Sequence, residues 1–246
     1  MAIVLAASAG TVTGSSVNLL TLPGDLVIAA GFSFNSAFST TGLSSSTGVP
    51  HALSGDANFD SQGTKSIGGV CVVPPGGGGD LTVTTNGTGV TMNVYRSNIG
   101  GTLSLGNQAL QGGYSTEHLF PAIPMQPPSG GSSWAAALAA HGSITAATQT
   151  DLRAAPSGLT FRQTRRGNIG LCATYDSAGP VTSRPAATRT MSVRQGWNIW
   201  VAEIRETPGA AAVDTVYKGA QTRAARYIGA STDAQRYVGA KRWFPA

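Results

Sequence analysis

The stretch Leu26-Val27-Ile28-Ala29-Ala30-Gly31-Phe32 decides the fold class. It is a continuous apolar run, without the 3.6-residue rhythm of an amphipathic helix. Its length is that of a strand, and Pro23-Gly24 punctuates the chain just before it. It reads as a buried strand. On its N-terminal side stand two further short apolar runs, Ala2 to Ala6 and Val17 to Leu22. On its C-terminal side Ile67 to Val73 reads as a strand ended by Pro74-Pro75-Gly76-Gly77-Gly78-Gly79. Leu81 to Thr85 and Val90 to Arg96 alternate in character and are joined through Asn86-Gly87-Thr88-Gly89, which predicts a β-hairpin.

The same reading extends along the chain. Residues 35–66 are rich in Ser, Thr, Gly and Asn and read as long loops or irregular short strands, and residues 97–117 read as loop-rich. Strands are expected at His118 to Phe120, Leu159 to Arg165, Asn168 to Tyr175, Thr190 to Arg194 and Trp197 to Ile204. Ser132 to Ala140 is alanine-rich, which favours a helix, but it lacks amphipathic spacing and lies between glycine-rich turns. It reads as a central strand with small side chains. About ten strands with irregular loops predict an all-β fold: an antiparallel β-sandwich, jelly-roll-like. The body is expected over residues 1–206, a linker over 207–215 and a C-terminal arm over 216–246.

Composition narrows the function classes. Only 11% of the 246 residues are charged, and 33 are glycine. A coiled coil needs far more Glu, Lys and Leu, and a charged disordered tail needs far more charge. The formal net charge is +5. Lys218, Arg223, Arg226, Arg236, Lys241 and Arg242 face one acid, Asp233, after residue 215, while the rest of the chain balances. A neutral body with a basic tail gives no general nucleic-acid footprint. The apolar start Ala2 to Ala7 lacks a preceding cation and is short for a signal peptide, and no run is long enough to span a bilayer. Cys71 and Cys172 sit in apolar strand-like runs and read as buried free thiols rather than a disulfide framework. A chain made in a cytoplasm, with no membrane insertion, is expected.

The most specific pattern lies in the arm. Tyr217, Tyr227 and Tyr237 recur every ten residues, as do Gly219, Gly229 and Gly239 and the alanines that follow them. Three columns in register mark a repeat. Each unit supplies an aromatic strand segment, a glycine for a turn and about five polar residues that return the chain. About thirty residues are too few to fold alone, so the arm reads as an assembly element. Tyr217, Gly219, Arg226, Tyr227, Gly229, Arg236, Tyr237, Gly239 and Trp243 are its expected interface residues. Arg and Tyr interleaved in this way also suit stacking on single-stranded nucleic acid, but six cations without a long basic cluster argue against it. A solvated terminal meander is the third reading.

Motifs of catalysis are not found. Gly76 to Gly79 lead into Asp80-Leu81 instead of the Lys-Ser or Lys-Thr of a phosphate loop, and no G-x-S-x-G elbow occurs. His51, His118 and His141 are isolated, so no metal spacing arises. Asp56, Asn58 and Asp60 alternate as oxygen ligands of a calcium loop do, yet the sixth-position glycine and twelfth-position carboxylate are missing. A polar loop turning by Asx chemistry is the plainer reading. Glu203 and Glu206 are close in sequence, but alternation after Trp200-Val201-Ala202 puts Glu203 on the outer face of a terminal strand. No cofactor, no metal and no enzyme activity are expected. Phe59, Tyr114 and Trp134 are the aromatics that could stack on a sugar ring if the loops contact glycan.

Several stretches together carry a resemblance: Leu22-Pro23-Gly24-Asp25-Leu26-Val27, Val94-Tyr95-Arg96, Ser133-Trp134 to His141, Pro156-Ser157-Gly158-Leu159-Thr160-Phe161-Arg162, Ser177-Ala178-Gly179-Pro180-Val181 and Gly196-Trp197. In that order, with the terminal repeat, the chain resembles minor virion proteins of tailed bacteriophages and related gene-transfer particles. The resemblance spans most of the chain, although residues 33–66 are longer and richer in Ser and Gly than the family pattern. It implies a non-enzymatic structural role in the virion, at a tail tip or fibre, as a homo-oligomer with trimer as the expected state. Other virion proteins are the implied partners, with a host cell-surface glycan as a further one. The alternatives are a capsid decoration or head-fibre protein, and a carbohydrate-binding module.

Overall fold

A computed structural model describes residues 3–33, 43–45, 51–59, 64–73, 77–126, 132–142, 145–168, 170–177, 181, 186–209, 213–218 and 222–227. The chain divides into two compact units, residues 1–207 and 208–246. In the first unit the strands are β1 (Ile3–Thr11), β2 (Ser16–Thr21), β3 (Leu26–Ser33), β4 (Leu43–Ser45), β5 (His51–Phe59), β6 (Thr64–Val72), β7 (Gly79–Thr85), β8 (Gly89–Ser97), β9 (Thr102–Phe120) and β10 (Ser132–Gly142). The helix α1 (Ala146–Arg153) comes next, then β11 (Thr160–Arg166), β12 (Gly170–Asp176) and β13 (Ala187–Thr207). The second unit contains β14 (Val213–Lys218) and β15 (Thr222–Tyr227). The fold is all-β and antiparallel. No helix among the described residues is long and apolar enough to cross a membrane.

The first unit is layered. A central sheet runs β1-β8-β3-β6-β5, and a second runs β11-β12-β10-β13-β9. A three-stranded sheet, β2-β7-β4, covers the central one from its other side. Side-chain alternation explains the stack. Leu26, Ile28, Ala30 and Phe32 of β3 point into one core with Tyr95, Cys172, Trp200, Ala202 and Ile204. Val27 and Ala29 of the same strand point the other way, into a core with Leu81, Val83, Met92 and Val94. A strand buried on both faces must be apolar at every position, which is why residues 26–32 lack alternation. A third core lies on the outer face of the second sheet, where Leu171, Tyr175, Trp197, Ile199 and Val201 meet Phe120, Ile123 and Leu152 of α1.

Two expectations about strands need correction. Leu81 to Arg96 is not a hairpin. β7 pairs with β2 and β4, while β8 pairs with β1 and β3, so the two belong to different sheets. Both edges of β8 are already taken, and the turn passes the chain between layers, with Thr88 N donating to Phe32 O at 2.8 Å. Residues 102–117 are not loop but most of β9, paired with β13 over nearly its whole length. Part of the polar stretch 35–66 is strand as well, in β4, β5 and the start of β6. Ser132 to Ala140 does lie in the central strand β10, between β12 and β13. The helix instead follows it, opened by a capping box in which Thr145 Oγ1 accepts from Thr148 N at 3.1 Å and Thr148 Oγ1 accepts from Thr145 N at 2.9 Å.

The glycines that made β9 look like loop are set by its neighbour. Residues Gly106 and Asn107 face Glu203 at a register shift between β9 and β13. A Cβ on Gly106 would sit 2.2 Å from Glu203 Oε2. That carboxylate is fully buried, where it accepts from Asn107 N at 3.1 Å and Gln126 N at 2.8 Å and pairs with Arg205 at 3.0 Å. By alternation with Trp197, Ile199 and Val201, Glu203 does lie on the outer face of the second sheet, but β13 is an interior strand and the side chain is buried there, as is that of Glu206. Gly106→Ala is expected to displace the carboxylate and cost about 2–3 kcal/mol in chemical denaturation, the range of overpacking with a strained charged hydrogen bond. An unchanged midpoint would mean that β9 shifts freely at this point.

In the second unit β14 and β15 form a two-stranded antiparallel ladder, from Val213↔Tyr227 to Lys218↔Thr222. Thr207 ends β13 and Val213 opens β14, so strand takes up both ends of the expected linker. The polar return segment Thr222 to Arg226 is also strand rather than loop.

Candidate functional site

The polar residues of β8 build the best-defined site. In the alternating run from Val90 to Tyr95, Val90, Met92 and Val94 face the covering sheet. Thr91, Asn93 and Tyr95 take the opposite face, towards the second sheet, and all three are buried. Buried polar groups need partners, and Asn93 gathers them. Its Oδ1 accepts from Ser8 Oγ at 2.7 Å, Gln163 Nε2 at 3.3 Å and Thr174 Oγ1 at 3.3 Å. Its Nδ2 donates to Tyr95 OH at 3.3 Å. Gln163 Nε2 also donates to Ala9 O at 2.8 Å, tying the edge strand β11 to the edge strand β1.

A β-bulge supplies the charge. The β11–β12 register shifts between Phe161 and Gln163, leaving Arg162 as the extra residue. Bulges re-aim side chains, and here Arg162 reaches Asp176 at the end of β12, at 2.7 Å. The same carboxylate acts on the Tyr95 phenol. Burial holds the Asp176 carboxyl above the usual carboxylate range, with Arg162 working against that rise. Burial, and then the charge of Asp176, pushes the Tyr95 phenol well above its ordinary value. The Arg162 guanidinium is raised by its bond to Asp176.

Above this network lies an open cleft of about 410 Å³. Ser8, Phe161, Arg162, Gln163 and Arg165 line it, with Arg153 from the last turn of α1. Arg165 is held by its own strand and by β1, donating through Nε to Gly10 O at 3.1 Å. Among the described residues no carboxylate pairs with Arg153 or Arg165. A larger cleft of about 550 Å³ lies among residues 12–15, 87–88 and Asn168, and it has no charged side chain.

A second buried cluster sits on the outer face of the second sheet. Arg189 lies between the rings of Phe120 and Tyr175, 5.3 and 4.9 Å from their centroids. Its Nη1 donates to Leu152 O at 3.0 Å, at the carbonyl end of α1, and to the Tyr175 hydroxyl. His118 lies opposite Arg189 in the ladder and stacks against Trp197 with centroids 5.3 Å apart. Both its ring nitrogens are buried without a hydrogen-bond partner. Burial, reinforced by Arg189, lowers its pKa to about 3.

The residues singled out from sequence fare differently. Asp25 and Arg96, in two of the stretches that carry the phage resemblance, meet in a bidentate pair at 2.7 and 2.8 Å. Cys172 is a buried free thiol with its pKa pushed up to about 12 by desolvation, and the side chain of Cys71 lies outside the described residues. Asp56 and Asn58 pair through their backbones with Ile67 and Lys65 in an extended ladder, rather than in a polar loop, and Asp60 lies outside the described residues. Among the described residues no three metal-binding side chains converge. Phe59 ends β5 in the central sheet, while Trp134 and Tyr114 belong to β10 and β9 of the second. One face of the Tyr114 ring is covered by Arg194 at 4.5 Å. Tyr217 and Tyr227 are on the β14–β15 ladder, and Arg226 stands opposite Asp214. Gly219, Gly229, Arg236, Tyr237, Gly239 and Trp243 lie outside the described residues.

Nothing in the sequence reading pointed to Ser8, Asn93, Gln163 or Asp176. The signal was the alternation of residues 90–95, which places polar groups on a full face of a strand. Only knowledge that both faces are covered turns that pattern into a buried network. No protein-family model, curated protein or solved structure matches the chain.

Proposed function

We propose that this chain is a non-enzymatic structural component of a bacteriophage virion, tail-associated, which docks through its C-terminal unit. The ladder of that unit carries the reading. Its register places positions 213, 215 and 217 on one face with their partners 227, 225 and 223. The first two tyrosines of the ten-residue repeat therefore share a face, and Arg226 and Asp214 share the other. An isolated two-stranded ladder is marginal in water. A third repeat, other virion chains or copies of this one would supply the strands and aromatic contacts that it needs.

The test is removal of residues 208–246 from the chain during particle assembly. The remaining unit has its own three hydrophobic cores and is expected to fold, with a normal β-type circular dichroism spectrum. It is expected to be missing from purified particles. Incorporation of the shortened chain at the full-length level would overturn docking through this unit. Recovery of the intact chain with isolated heads instead of tails would favour a capsid decoration role.

A further inference from the structure

The cleft beside the buried network has features that the docking reading leaves unused. We infer that it is a binding site for an acidic saccharide: a hydroxyl-rich ring bearing a carboxylate or phosphate. Three arginines line it, and among the described residues Arg162 alone of the three has a carboxylate partner, Asp176. Arg153 and Arg165 are exposed cations at its rim. Guanidinium groups recognise oxyanions through paired donors.

The inner wall is held in place by the network below it. Gln163 is 7% exposed, and its amide is oriented by donation to Ala9 O and Asn93 Oδ1. That leaves Oε1 buried with no donor. Ser8 supplies a hydroxyl at the same wall, and the half-buried Phe161 ring supplies an apolar surface on which a sugar face can rest. The volume of about 410 Å³ is that of a small-ligand pocket. Oxyanion, hydroxyl and ring face thus each meet a matching group. The bulge at Arg162 brings that cation into the same wall as Ser8.

The experiment titrates the full-length protein with oligogalacturonate, with a neutral glucan of the same length and with inorganic phosphate, by calorimetry at low salt. Oligogalacturonate is expected to bind, and the neutral glucan to bind at least tenfold more weakly. The exposed pair Arg153→Glu and Arg165→Glu is expected to lower the affinity at least tenfold in a protein that keeps the folded circular dichroism spectrum. Equal affinity for acidic and neutral oligomers, or unchanged affinity in the double variant, would overturn the inference. Phosphate binding as tightly as the oligomer would overturn the saccharide assignment in favour of a free oxyanion. These measurements need no assembled particle, so their failure would leave docking through the C-terminal unit untouched.

Discussion

Arg162→Ala is expected to lower the unfolding free energy by about 1.5–3 kcal/mol at pH 7, the range for losing a charged hydrogen bond to a buried group when the partner is itself partly exposed. Asp176 is 2% exposed, and Arg162 is the cation that holds its charge. Without that cation the carboxyl, already raised by burial, rises further. The folded state then keeps a proton that the unfolded state releases. Stability must therefore recover as pH falls through the folded value towards the ordinary aspartate value of 3.8. Adding Asp176→Asn to the same chain removes the charge and should restore much of the loss. Urea denaturation across pH for the single and double variants checks all three points. A loss that neither shrinks in acid nor is relieved by the asparagine would show that Arg162 acts through packing instead.

The second large effect is acid sensitivity set by His118. Its folded pKa of about 3 lies below the ordinary histidine value of 6.5. Between those values the unfolded chain binds a proton that the folded chain refuses. Stability is thus complete above pH 6.5, falls as pH drops towards 3 and levels off below that, a contribution of roughly 4–5 kcal/mol. Arg189, in the facing position of β13, opposes the proton in addition to burial. His118→Phe keeps a ring against Trp197 and removes the titration. Melting temperatures from pH 7 to pH 3 should fall less steeply in that variant. Equal slopes in the two proteins would show that other groups set the acid response.

Much of the fold was legible because burial on both faces leaves a plain mark. Residues 26–32 had to be a covered strand, and the alanines of β10 suit the middle of a packed sheet. What misled was pairing. Asn86-Gly87 joins two alternating strands, which in a two-layer protein signals a hairpin. Here it joins two layers, because β1 and β3 occupy the edges of β8. β9 was hidden for a different reason. Gly106 and Gly113 are set by the Glu203 carboxylate and the Trp197 ring, which belong to β13, some ninety residues later in the chain. The inter-sheet network was illegible for the same reason. Asn93, Gln163 and Asp176 are ordinary polar residues until the register of two sheets brings them together.

The division of strands between the layers has a consequence for biosynthesis. The central sheet and its cover draw every strand from residues 3–97, and the second sheet draws every strand from residues 102–207. As the chain leaves the ribosome, the first half can close its ladders before the second half exists. At translation rates of about 5–20 residues per second, the second half takes roughly 5–20 s to arrive. For that time the face with Leu26, Ile28, Phe32 and Tyr95 has no covering sheet. Nascent chains on one message would be adhesive to each other during this interval, so yield in a foreign host would depend on chaperone supply and translation speed before it depended on the stability of the finished protein.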